Sequence, residues 1–140
     1  MMFVLDCSMA MAFVLRDEST ADTDAILDML GQGSSAVVPA LWRWEVANVL
    51  LVAQRRGRVA STDAHRHMAQ LKGLPIEVDE TACEESWSAA YALGQKHSLS
   101  SYDAAYLEVA IRRGIPLASL DRELRTAAKA EKVQLLPEKL

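Results

Sequence analysis

Short apolar runs alternate with longer segments of helical period along this chain. Phe3, Val4 and Leu5 form a first run, closed by Asp6, and Ala36 to Val38 form a second, closed by Pro39. Ile76 to Val78 after Pro75, Leu117 and Ala118 after Pro116, and Val133 to Leu136 before Pro137 make three more. Each is short, rich in branched residues and bounded by turn formers, the signature of a buried strand.

The intervals carry the other period. Ala21 to Leu30 places Ile26, Leu27 and Leu30 on one helical face and stops at Gly31. Leu41 to Arg56 predicts a longer helix ended by Gly57, and Ser61, Thr62 and Asp63 offer N-caps for a helix running to Gly73. Cys83, Trp87, Tyr91 and Gly94 form one stripe; Tyr102, Tyr106, Val109 and Ala110 form the next; Thr126 to Glu131 fills the last interval. Strands alternating with helices require parallel pairing through crossovers. The expected fold is therefore α/β, a central parallel sheet of about five short strands flanked by helices in an α/β/α arrangement.

The 140 residues fit one domain, 1–140, large enough to bury a core without disulfides. Hydrophobic residues at 51% and charged residues at 24% exclude the composition of a disordered chain. Cys7 and Cys83 stand far apart and outside any CxxC pattern, which suggests neither a disulfide framework nor a zinc site and fits a reducing cytoplasm. The apolar N-terminal stretch lacks a basic leading region and is broken by Asp6, so it does not read as a signal peptide. No segment reaches the roughly 18 to 20 apolar residues that span a bilayer. A soluble protein without a membrane partner is expected.

A net charge of −4 argues against a broad electrostatic nucleic-acid binder. Basic residues do cluster at Arg55, Arg56 and Arg58, at Arg112 and Arg113, and at Arg122, Arg125 and Lys129. Such patches suit either phosphate contacts or helix ends favoured by the helix dipole.

The acidic residues are the candidate chemistry. Ligands of a parallel α/β sheet bind beyond the carboxyl ends of its strands, near the point where strand order reverses. Asp6 follows the first strand and Asp121 the fourth, while Glu45 lies in the opening turns of the helix leaving the second. The helix opened by Asp103 runs through Arg113 and turns at Gly114 into the fourth strand, so its start returns to the same edge. Four carboxylates then converge on one rim.

Each alone has a plainer use. Asp103 suits a capping box with Ser100, Asp121 a helix N-cap, Glu45 a solvated helix position and Asp6 a strand-end turn. Neither Glu45 nor Asp103 has a cation three or four residues away, whereas Asp121 has Arg125 one turn on. Crowded carboxylates repel, and one must take a proton unless a cation neutralises them. Oxygen ligands suit Mg²⁺ or Mn²⁺. His65, His67 and His97 lie elsewhere in the sequence and read as surface residues.

The segments FVLDCS, PALWRWEVANVL and LSSYDAAYLEVAIRRGIPLASLDREL resemble a PIN domain, specifically the toxin ribonuclease (VapC type) of bacterial VapBC toxin–antitoxin pairs. The resemblance covers nearly the whole chain and is most specific from Leu99 to Leu124. It implies a Mg²⁺- or Mn²⁺-dependent endoribonuclease hydrolysing RNA phosphodiesters, with Asp6, Glu45, Asp103 and Asp121 as catalytic, metal-binding acids and Asp6 and Asp103 as direct ligands. It gives Ser8, Asn48 and Ser119 supporting roles toward those acids, although turn, cap or solvated roles fit them equally. It further implies a homodimer and a small VapB-type antitoxin that covers the site with a basic side chain. Trp42, Trp44, Val49 and Leu50 would then serve core, dimer or antitoxin contacts, with core the default for an apolar helical stripe.

Two other enzyme-like patterns fail. A haloacid-dehalogenase-like phosphatase needs a second acid where Ser8 stands, and a phosphate-acceptor receiver domain needs paired acids near the first strand and a later Lys. The non-enzymatic alternative is a catalytically inactive PIN-like module that binds RNA or protein, against which the retention of all four acids argues.

Overall fold

Five apolar runs form strands because only pairing satisfies their buried backbone. In the computed structural model, which describes residues 1–81 and 83–140, these are β1 (Met2–Leu5), β2 (Ser35–Pro39), β3 (Ile76–Asp79), β4 (Leu117–Ala118) and β5 (Leu135–Leu136). They make one sheet in the order β3-β2-β1-β4-β5, every pairing parallel. The register sets Val4 opposite Val37 on one side and Leu117 on the other. Sequence order runs outward in both directions from β1, so the reversal falls between β1 and β4.

The helices flanking this sheet are α1 (Cys7–Val14), α2 (Ala21–Gly31), α3 (Leu41–Arg55), α4 (Ser61–Lys72), α5 (Glu84–His97), α6 (Ser101–Arg113) and α7 (Arg122–Ala130), with a 3₁₀ turn at Arg16–Glu18. The core joins Phe3, Val4 and Leu5, Val37 and Val38, Leu107 and Val109, and Leu117 and Leu124, all nearly or fully inaccessible. Helix α6 packs on β1, β2 and β4. Gly114, at φ +63°, ends it in the left-handed conformation and turns the chain into β4.

Three departures from the sequence pattern have physical causes. Helix α1 was not expected, because Met9, Ala10, Met11 and Ala12 are all buried and an all-round apolar helix shows no amphipathic period. Helix α7 begins four residues before Thr126, since Asp121 caps it. Strand β5 pairs only through Leu135 and Leu136.

Helix α5 presents a different face from the one its stripe suggests. Trp87 and Tyr91 are 78% and 69% exposed, and Ala90 alone of this helix is buried. Its close approach to α6 runs through Gly94, where a Cβ would stand 3.1 Å from the carbonyl oxygen of Leu99. Bulk is excluded at that contact, so the large aromatics point away.

The basic pair Arg112 and Arg113 is committed internally. Asp79, buried at the end of β3, accepts from Arg112 Nη2 at 3.0 Å and Arg113 Nε at 2.7 Å, while Glu108 accepts from Arg112 Nε at 2.7 Å. Burial pushes the Asp79 carboxyl up, but the two guanidiniums outweigh it and hold it below its ordinary value. These arginines fasten the edge strand to α6.

Candidate active site

Asp6 sits where β1 ends at the reversal of strand order. Its N–H completes the sheet by donating to Ala118 O at 3.1 Å. Its side chain then caps α1, Oδ1 accepting from Met9 N at 2.9 Å. Ser8 Oγ donates to the same oxygen at 2.7 Å, and the Ser119 hydroxyl donates to Oδ2. Each serine oxygen also accepts a backbone N–H at 3.0 Å, Ser8 from Leu120 and Ser119 from Asp121. Those bonds leave each hydroxyl proton free to point at Asp6. Both carboxylate oxygens are thereby fixed across the β1–β4 junction.

Burial nevertheless dominates the electrostatics of Asp6. It pushes the carboxyl up to about 6, against the lowering hydrogen bonds from Ser119, Met9 and Ser8, with the charge of Asp121 adding to the rise. Ionised Asp6 is held in position but poorly solvated.

Glu45 projects from the second turn of α3, half-buried, and its Oε1 accepts from the Tyr106 hydroxyl at 2.6 Å. Burial first, then the bond to Glu45 and its charge, raise the Tyr106 hydroxyl so far that it stays protonated and donating. Asp103 stands in the first turn of α6, where Ser100 Oγ accepts from its backbone N–H at 3.1 Å. The reciprocal half of a capping box is not formed among the described residues, so this carboxylate faces the other acids. Burial and the charges of Asp121 and Glu45 raise it above its ordinary value. Asp121 is exposed and caps α7, accepting from Leu124 N at 2.8 Å.

All four acids line one cleft of about 560 Å³. Glu18 joins them from the 3₁₀ turn, and Cys7, Val49 and Leu120 supply apolar wall. Burial, with the charges of Glu45, Asp6 and Glu18, pushes the Cys7 thiol up to about 12, which keeps it neutral. No Lys or Arg lines the cleft among the described residues. Capping and convergence are thus compatible, since Asp6 and Asp121 do both.

Other expected contributors stand elsewhere. Asn48 is exposed and outside the lining of the cleft, because α3 turns it away from the face that carries Glu45 and Val49. Arg125 does not pair with Asp121; its buried guanidinium donates to Ser119 O at 2.9 Å and Pro137 O at 2.8 Å, tying α7 to the C-terminal segment. His97 is largely covered rather than at the surface, with Nε2 3.3 Å from Glu131. Trp44 is 77% exposed, whereas Trp42 and Leu50 are core and Val49 packs at the cleft. The sequence reading missed Tyr106 and Glu18 as site residues. Tyr106 lies one turn after Asp103 on the same helix, a signal that reading absorbed into the apolar stripe; Glu18 carries no pattern of its own.

The donor set fits a hard divalent cation that keeps much of its water. No three of the described His, Cys, Asp and Glu side chains stand close enough to enclose an ion by themselves. Mg²⁺ is ordinarily held by one or two carboxylates, with waters completing its octahedron. Burial first and then repulsion from Asp121 and Glu45 raise Asp103, and a bound cation relieves both.

The PIN domain model matches residues 3–130. Ribonuclease VapC3 of Pyrobaculum aerophilum is 29% identical over 124 residues, covering 89% of this chain and 92% of that protein. The crystal structure of PAE2754 from Pyrobaculum aerophilum superposes with a TM-score of 0.72 at 24% identity, over 98% of this chain and 93% of that one. VapBC2 from Rickettsia felis, solved bound to a DNA fragment from its promoter, gives 0.70 at 9% identity over 96% and 97%. These two structures share the fold, a five-stranded parallel sheet flanked by helices, and by the family match across most of its length this chain belongs to the PIN domain family.

Proposed function

We propose that the chain, as a single PIN domain spanning 1–140, is a Mg²⁺- or Mn²⁺-dependent endoribonuclease and the toxin of a VapBC-type toxin–antitoxin pair. The observation that carries this reading is the convergence of Asp6, Glu45, Asp103 and Asp121, from four separate parts of the sequence, on one cleft without a cationic lining residue among those described. The name of the VapC3 relative as a ribonuclease and the VapBC2 likeness support it.

Asp6 and Asp103 would hold the ion, and Glu45 and Asp121 its water shell. Ser8 and Ser119 lock both oxygens of Asp6, so the ligand loses little freedom on binding. The Tyr106 hydroxyl orients Glu45 and leaves Oε2 to accept from a water. Glu45 can take a proton from that water as it attacks phosphorus, while the P–O bond to the leaving oxygen breaks and that oxygen takes a proton from solvent. What a divalent ion supplies here, when bound, is a lowered water pKa and stabilisation of the charge growing on the phosphodiester.

The partners proposed are RNA, a small VapB-type antitoxin placing a basic side chain among the acids, and a second copy of the chain. Cytoplasmic action accords with the absence, among the described residues, of any helix long and apolar enough to cross a membrane. The test is incubation of purified protein with RNA in Mg²⁺, in Mn²⁺ and in EDTA, beside Asp103→Asn. Cleavage confined to the wild type with metal is expected. Cleavage in EDTA, full activity of Asp103→Asn, or no cleavage of any RNA would overturn the reading, the last favouring a binding module.

A further inference from the structure

A second concavity, of about 470 Å³, lies between the start of α3, the end of α4 and strand β3. Its floor is apolar, with Val46, Leu71 and Val78 among the lining residues. Two features of the groove do not belong to a closed core. Trp42 is 7% exposed, yet its indole Nε1–H is buried without a hydrogen-bond partner among the described residues. A buried donor left unpaired destabilises the fold. Trp44, which also lines the groove, is 77% exposed.

The charges of the groove select the kind of occupant. Its lining holds two charged residues, Arg43 and Lys72, both cationic and neither in an ion pair among the described residues. In a chain of net charge −4 that is a local reversal of sign. A flat aromatic face and two unpaired cations match one nucleotide of a single strand, whose base would stack on Trp44 while its phosphates meet Arg43 and Lys72.

Position favours RNA over an acidic peptide. Trp44 immediately precedes Glu45, and successive helical residues lie about 100° apart around the axis. The first turns of α3 therefore carry the acid cleft on one side and this groove on the next. We propose that the Trp42–Trp44 groove is a nucleobase subsite that holds one unpaired base of an RNA strand beside the scissile phosphodiester. The proposal rests on the ribonuclease reading above and adds a site away from the acids.

The experiment measures binding, not cleavage. A fluorescently labelled eight-nucleotide single-stranded RNA is titrated with wild type, Trp44→Ala, Trp42→Phe, Arg43→Gln with Lys72→Gln, and Trp87→Ala, in EDTA, by anisotropy at several salt concentrations. Trp44→Ala is expected to weaken binding at least about fivefold, in line with base stacking on aromatics. The double Gln variant should lower the salt slope by about 1.4, at about 0.7 per lost phosphate contact on a single strand. Trp87→Ala, equally exposed but on α5, should bind as wild type. Trp44 is exposed, so its truncation leaves the fold intact even if Trp42→Phe does not. Unchanged affinity in Trp44→Ala, with wild type binding and cleaving RNA, overturns the subsite and leaves the ribonuclease reading standing. Loss of a dimer in that variant, at unchanged RNA affinity, assigns the groove to a second copy instead. No RNA bound by any form, and none cleaved with metal, overturns both.

Discussion

Replacing Asp6 by Asn should make the metal-free protein more stable at neutral pH, although it removes a residue proposed as essential. Folding takes this carboxyl from its ordinary 3.8 to about 6, mainly through burial. A folded-state pKa raised above the unfolded one means that the folded chain holds the extra proton between those values. Stability is then lost as pH rises from about 4 to about 6, and above that range the ionised group costs about 3 kcal/mol at ~1.4 kcal/mol per tenfold change. Asn keeps an acceptor for Met9 N and Ser8 Oγ, and its amide can donate to the second lone pair of Ser119 Oγ. The rearrangement at Ser119 returns part of the gain, leaving about 1–2 kcal/mol. At roughly 3 °C per kcal/mol for a chain of this size, Tm should rise by about 3–6 °C at pH 7.5 in EDTA. At pH 4, where folded Asp6 is already neutral, the gain should be gone and the variant should melt about 1–4 °C below wild type, because the rearrangement at Ser119 remains. Excess Mn²⁺ at pH 7.5 should stabilise the wild type and barely move the variant. A variant less stable than wild type at pH 7.5 in EDTA, or equally stabilised at both pH values, would refute burial as the source of the raised pKa.

Two further substitutions probe the supports of the site. Tyr106→Phe removes the 2.6 Å bond to Glu45 at nearly constant volume, so cleavage of RNA should fall about tenfold while Tm moves by no more than about 3 °C; unchanged kcat would show that Glu45 needs no orienting. Asp79→Asn removes the carboxylate that Arg112 and Arg113 share, leaving them Glu108 and Glu77 and partial solvation, and should cost about 2–3 kcal/mol, or about 6–9 °C in Tm, without abolishing cleavage. Because the Asp79 carboxyl is held below its ordinary value, the stability it contributes should persist at neutral pH and fade only as pH drops below about 4. An Asp79→Asn melt indistinguishable from wild type would show the network to be dispensable.

How far the sequence reached depended on whether a residue's surroundings were local. The five strands were readable because short branched runs flanked by Pro or Asp admit little else, and the acids were readable because parallel strands fix which ends share an edge. Asp103 is the clearest case, since the turn at Gly114 alone returns the start of its helix to that edge. Helix α1 was hidden because burial on every side erases periodicity, although Asp6 before a long apolar run was a usable cap signal. Apart from Glu108, one turn before Arg112, the partners of Arg112, Arg113 and Arg125 lie 12 or more residues away or on backbone carbonyls, where spacing rules are silent. The same limit misled the reading of α5, whose aromatic stripe looks like core until the Gly94 contact shows which face meets α6. Glu18 enters the cleft from a 3₁₀ turn that no apolar pattern marks.

The claim on which the rest depends is that these carboxylates share a divalent ion. Mn²⁺ titrated into the protein at pH 7.5, with free Mn²⁺ followed by its electron paramagnetic resonance signal, tests it without reference to any substrate. The account predicts that wild type removes one or two equivalents from solution and that Asp103→Asn, folded by circular dichroism, removes fewer or binds far more weakly. Equal uptake by the two proteins, or none by wild type, would contradict it.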